Sequence, residues 1–117
     1  KIMSTELDLS VLPSVRSNDG ANVKSTFEYN EKINPYKDGL SKEVEEKQYQ
    51  RYTDFFKLFV KYQDNIDRVT LWGVNDAQSW KNDWPVEGRT DYTLLFDRNN
   101  KPKEVVKDII NIVSNNN

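Results

Sequence analysis

Two carboxylates, Glu6 and Asp8, stand two residues apart in "STELDLS", and three tryptophans, Trp72, Trp80 and Trp84, surround another acid, Asp76, in "LWGVNDAQSWKNDW". The chain contains no Cys and no His. Thiol nucleophiles, imidazole bases, disulfides and Cys/His zinc sites are therefore excluded, and any catalysis must run on carboxylates, Tyr, Lys or Ser. Carboxylates can attack as nucleophiles or move protons when their surroundings separate their pKa values. The structural alternatives are a strand acid paired with a buried Arg or Lys, and Trp rings that merely fill a small core.

The elements that would position these groups can be read from periodicity. From Ile2 to Val11 the chain alternates, with Met3, Thr5, Leu7 and Leu9 on one face and Ser4, Glu6, Asp8 and Ser10 on the other, the period of a strand. Pro13 ends it, and Ser14 to Leu40 is a loop far longer than ordinary connections, in which Phe27, Tyr29, Ile33 and Tyr36 are expected to pack locally. Ser41 opens a helix whose first turn is acidic. Val44, Tyr52, Phe55, Phe56, Phe59 and Tyr62 give it an apolar stripe running to about Asn65, which reads as core. The charged run "KDGLSKEVEEKQYQR" reads as a solvated face. Arg68 to Val74 is a second strand, and Asn75 to Thr93 is a loop of turn residues carrying two of the tryptophans. Pro102 sits where a first helical turn tolerates it, and Val105, Val106, Ile109, Ile110 and Val113 form the stripe of a second helix.

This order, strand, loop, helix, strand, loop, helix, predicts an α/β fold with parallel strands and helices packed outside them. In such folds ligands bind at the C-terminal edge of the strands. Glu6, Asp8, Trp72, Asp76, Trp80 and Trp84 are therefore expected to converge on one site.

The bulk properties set limits on partners. With 117 residues the chain is one domain at most. Its 17 basic and 19 acidic residues leave a formal charge of -2 with no block of either sign, so no nucleic-acid surface is expected. No apolar run approaches the roughly 20 residues of a membrane span. The opening "KIMSTELDL" has neither an initiator Met nor a signal-peptide layout, and it reads as a cut within a longer chain.

"STELDLS" resembles the nucleophile strand of glycoside hydrolase family 10, whose motif is T-E-L-D. "VTLWGVNDAQSW" is similar to the family's next strand and loop, W-G-(V/I)-x-D-x-x-S-W, and "LLFD" followed by "PK" resembles the end of its catalytic domain. The resemblance implies a (β/α)8 TIM barrel, of which residues 1–117 would be a C-terminal fragment holding the last two βα units, with an insertion at about 13–40. It further implies a retaining endo-1,4-β-xylanase that needs no cofactor or metal and acts on xylan or xylo-oligosaccharides in a secreted or periplasmic setting.

By the same resemblance Glu6 is the nucleophile, Asp8 a supporting acid, and Trp72, Asp76 and Trp80 belong to the sugar site. Trp84 lies in the variable part of that loop and is expected to contact sugar. The acid/base glutamate lies on the family's fourth strand, outside this sequence, so neither Asp8 nor Asp76 fills that role. Retaining glycosidases hold their two carboxyl groups roughly 5 to 5.5 Å apart, and flat Trp faces suit the C–H face of a pyranose. This sequence departs from the family at Ser4, where an aliphatic residue is common, and in the insertion.

Two βα units cannot close a barrel, and by themselves leave strand edges and helix faces unpaired. The isolated segment is thus expected to be inactive, with the remaining barrel supplied by the same chain or a complementing one. The rival reading is a noncatalytic carbohydrate-binding or interaction domain that uses the same Trp-rich loop.

Overall fold

The computed structural model describes residues 1–14 and 31–115, so Phe27 and Tyr29 lie outside the described residues. Among the described residues the principal elements alternate strand and helix: β1 (Ile2–Leu7), α1 (Lys42–Lys61), β2 (Ile66–Leu71) and α2 (Glu104–Ser114). The strands pair in parallel, with Ile2 opposite Ile66 and Leu7 opposite Leu71.

The register contains a feature that simple alternation does not predict. Ser4 pairs with Val69 and Leu7 with Leu71, so Thr5 and Glu6 together oppose the single residue Thr70. Such a bulge moves side chains from one face to the other, and bulges concentrate next to active sites. Met3 consequently does not share the helix-facing side with Leu7. It pairs with Arg68 and is exposed, whereas Leu7 is buried and Leu9 packs beside it.

α1 begins where the Ser41 hydroxyl accepts a hydrogen bond from the Val44 amide at 3.4 Å, with Glu43 and Glu45 in the positive first turn and Lys61 in the last. It stops at Lys61, short of the expected Asn65, because Tyr62–Asn65 forms the turn into β2. Its stripe is only partly core. Tyr52 is fully buried and Phe56 and Phe59 pack against the core, while Phe55 and Tyr62 are exposed. α2 starts at Glu104, two residues beyond Pro102, which instead bridges to Phe96. Val105 and Ile109 point inward, and Ile110 and Val113 remain exposed. Leu7, Tyr52, Leu95, Val105 and Ile109 make the core.

Gly73, just past β2, sets how closely the second loop returns. Its φ of 139° lies in the region that favours glycine, and a Cβ there would sit 2.7 Å from Leu94 Cδ1. Gly73→Ala is expected to cost about 2–4 kcal/mol, from backbone strain plus overpacking. Urea denaturation of the complete catalytic domain would measure this.

Candidate active site

Leu7 and Leu9 face the helices, so their neighbours Glu6 and Asp8 lie on the opposite face of the strand. In β2 likewise, Val69 and Leu71 pack on the helix side and Trp72 follows on the other. The Trp72 amide donates to Leu7 O at 2.9 Å, which brings Trp72 level with the end of β1, where Glu6 and Asp8 flank Leu7. Glu6 is exposed, and among the described residues no side-chain hydrogen bond or ion pair holds it. Trp80 Nε1 donates to Asp8 Oδ2 at 2.8 Å, fastening the second tryptophan to the strand that carries Glu6.

The loop after β2 is built by short caps. Asn75 Oδ1 accepts from the Gln78 amide at 3.1 Å to start the one-turn helix Asp76–Gln78. Ser79 Oγ accepts from the Lys81 amide at 3.3 Å to start the next, Trp80–Asn82. The Lys81 ammonium lies 4.3 Å from the Trp80 ring centre, a cation–π contact that restrains the indole from one side. Trp72, Trp80 and Trp84 are 47, 44 and 59% exposed, so all three offer flat apolar surface. Glu6, Asp8, Trp72 and Trp80 are thus gathered at one strand end.

Asp76 differs. It is fully buried and presents no surface to a ligand. Its Oδ1 accepts the Leu94 amide at 2.9 Å, and its Oδ2 lies 2.9 Å from Lys103 Nζ. Burial pushes the Asp76 carboxyl up, against the pull of the Lys103 charge, and burial pushes the Lys103 ammonium down, against the pull of Asp76. Lys103 also donates to Gln48 Oε1 and Tyr92 O, each at 3.3 Å, and Gln48 Nε2 donates to Leu9 O at 3.0 Å and to Tyr92 O. The Tyr52 phenol, raised above its ordinary value chiefly by burial, stays protonated and donates to Thr93 O. One buried polar network therefore ties the segment just after β1, helix α1, the residue that caps α2 and the second loop together.

A second set of contacts holds the end of β1. Asp91 is fully buried and accepts from Ser10 Oγ at 2.5 Å and the Val11 amide at 3.1 Å. Asn82 accepts from the Asp91 amide at 2.8 Å and from Arg98 Nη2 at 2.9 Å, and donates to Asp76 O at 2.8 Å. Sequence reasoning did not single out Gln48, Asn82, Asp91 or Lys103. For Gln48 a signal existed: it lies four residues from both Val44 and Tyr52, on the apolar stripe itself rather than the solvated face.

Two cavities, of ≈ 460 and ≈ 500 Å³, lie against α1, and neither is lined by Glu6 or any of the tryptophans. Glu6 and the three tryptophans are themselves exposed. Among the described residues no group of three or more Asp and Glu could hold a metal ion, and no helix is long and apolar enough to cross a membrane.

Comparison with known proteins places this arrangement. Residues 1–112 match the model of glycosyl hydrolase family 10. Endo-1,4-beta-xylanase A of Xylanibacter ruminicola is 50% identical over 111 residues, covering 95% of this chain and 30% of that protein. The beta-1,4-xylanase of Dictyoglomus thermophilum is 34% identical over 110 residues, 94% of this chain and 27% of its own length. A GH10 endoxylanase retrieved from a sugarcane soil metagenome superposes with a TM-score of 0.78 at 42% identity, covering 94% of this chain and 29% of that one. A mutant solved in complex with xylotriose superposes at 0.69 with 35% identity, over 94% and 29% of the two chains. The chain spans under a third of these relatives, and its two βα units correspond to part of their (β/α)8 barrels. With its family motifs, parallel strands and strand-end acids in that order, this chain belongs to glycosyl hydrolase family 10.

Proposed function

We propose that this chain carries the nucleophile-bearing part of a retaining endo-1,4-β-xylanase, within a single catalytic domain whose remaining βα units supply the acid/base carboxyl. The observation that carries the reading is the placing of Glu6 at a bulge on the C-terminal part of β1, exposed and beside Trp72 and the Asp8–Trp80 pair. Glu6 attacks the anomeric carbon of a xylosyl unit while the partner acid, roughly 5 to 5.5 Å away, protonates the departing oxygen; water then releases the glycosyl-enzyme ester. Asp8 acts through Trp80, whose indole it orients. Trp72, Trp80 and Trp84 form walls for the sugar chain, each offering a face for stacking. Asp76 is a positioning residue that shapes the loop from within. No cofactor is needed for this chemistry. A polymeric xylan substrate puts the complete enzyme outside the cytoplasm.

The test is covalent trapping. The complete domain, incubated with a xylobioside bearing a fluorine at C2 and a good leaving group, should accumulate an adduct that mass spectrometry assigns to the peptide containing Glu6. Hydrolysis without an adduct, and with inverted product configuration, would exclude the retaining route. No turnover of any xylo-oligosaccharide would favour a noncatalytic carbohydrate-binding role.

A further inference from the structure

The insertion after β1 and the Trp84 loop after β2 are far apart in sequence, yet a set of hydrogen bonds joins their bases. Arg89 is buried, 5% exposed. Its Nε donates to Ile33 O at 2.6 Å and its Nη2 to Pro13 O at 2.8 Å, so one guanidinium holds the insertion at two points, its start and Ile33. Next to it the Thr90 amide donates to Asn34 Oδ1 at 2.8 Å, and Asn34 Nδ2 donates to Gly88 O at 3.4 Å. The Gly88 amide in turn donates to Asp83 Oδ1 at 3.2 Å, closing the loop that has Trp84 at its start.

We propose that Arg89 and Asn34 are positioning residues for Trp84: by holding Pro13, Ile33 and Asn34 against the base of the Trp84 loop, they fix the face that Trp84 presents to the sugar chain. This rests on the reading of this face as a xylo-oligosaccharide site. Arg suits the task because its planar guanidinium holds separate N–H donors in a fixed fork, so Nε and Nη2 reach two carbonyls twenty positions apart in the chain with a set geometry. Trp84 itself is exposed, so its orientation depends on the loop that bears it. A wall residue remote from the reacting carbon contributes equally to ground-state and transition-state binding, and its effect falls on KM.

The experiment uses the complete catalytic domain with Arg89→Ala, Asn34→Ala, Trp84→Ala and the Arg89→Ala/Trp84→Ala double variant. Asn34 is only half-buried, which keeps the test open should Arg89→Ala fail to fold. Each single variant should raise KM for xylo-oligosaccharides by about tenfold while leaving kcat within about twofold. The double variant should be no worse than Trp84→Ala, because the two residues act as one unit. Additive effects, or an unchanged KM in both Arg89→Ala and Asn34→Ala, would overturn the proposal.

A readout independent of turnover separates this from the functional reading. In protein labelled with 5-fluorotryptophan, the Trp84 resonance, identified by its loss in Trp84→Phe, should shift or broaden in Arg89→Ala and Asn34→Ala. An unmoved Trp84 resonance overturns the clasp even if the enzyme is active. If the parent domain turns over no xylo-oligosaccharide, the functional reading fails and the resonance still decides whether Arg89 positions Trp84.

Discussion

Glu6→Gln in the complete catalytic domain is expected to lower kcat on xylo-oligosaccharides by at least about 10³-fold, the scale of loss when the nucleophile of a covalent mechanism is removed. Gln has nearly the same shape and can still accept a hydrogen bond, but it lacks the negative charge that attacks the anomeric carbon. Binding should survive, because Trp72, Trp80 and the Asp8 contact to Trp80 are untouched. Calorimetry with xylo-oligosaccharide should give a Kd within about threefold of the parent, as expected when only a transition-state interaction is lost. Glu6→Asp offers an intermediate case: the carboxylate retreats by about one bond length, and a misplacement on the order of 1 Å can cost about 10²-fold. If Glu6→Gln turned over substrate like the parent, Glu6 would not be the nucleophile. If neither protein turned over substrate but both bound it equally, the domain would be a carbohydrate binder.

The second large effect concerns stability. Asp76→Ala is expected to destabilise the complete domain by about 3–5 kcal/mol, because it leaves the Lys103 ammonium partly buried without its counter-charge and the Leu94 amide without its acceptor. The individual contacts differ in what they need from residue 76. Asp76→Asn keeps an oxygen for the Leu94 amide and should cost less than Asp76→Ala. The double variant Asp76→Asn/Lys103→Met removes both charges and should recover much of the loss, since burial works against each charge of the pair. Denaturant titration of the four proteins at one pH measures all of this. A cost for Asp76→Ala within about 0.5 kcal/mol, the range of ordinary surface substitutions, would show that the pair is not a buried anchor.

The element order and the motif-bearing acids and tryptophans were legible in the sequence for a plain reason. Alternation in β1 and β2 and the stripes of α1 and α2 reflect local geometry, which each short segment carries by itself. The stripe on α1 was legible as helix but not as burial, since Phe55 and Tyr62 follow the helical spacing and are still exposed. Periodicity reports which residues share a face and is silent on what covers that face.

By itself the sequence determined the chemistry available: no His or Cys, acids at a strand end, tryptophans in the following loop, and motifs of one hydrolase family. Only the tertiary structure decided how those residues divide their work. Asp76 and Trp80 lie four residues apart in one motif, yet the acid turns inward to Lys103 while the indole turns outward and is held by Asp8. The bulge at Thr5–Glu6 arises from pairing with β2, and Gln48, Asp91 and Arg89 find their partners in segments about 40 to 80 residues away. A buried polar group must be satisfied by whatever the fold brings beside it. Such partners are set by long-range packing, which no local pattern of residue types encodes.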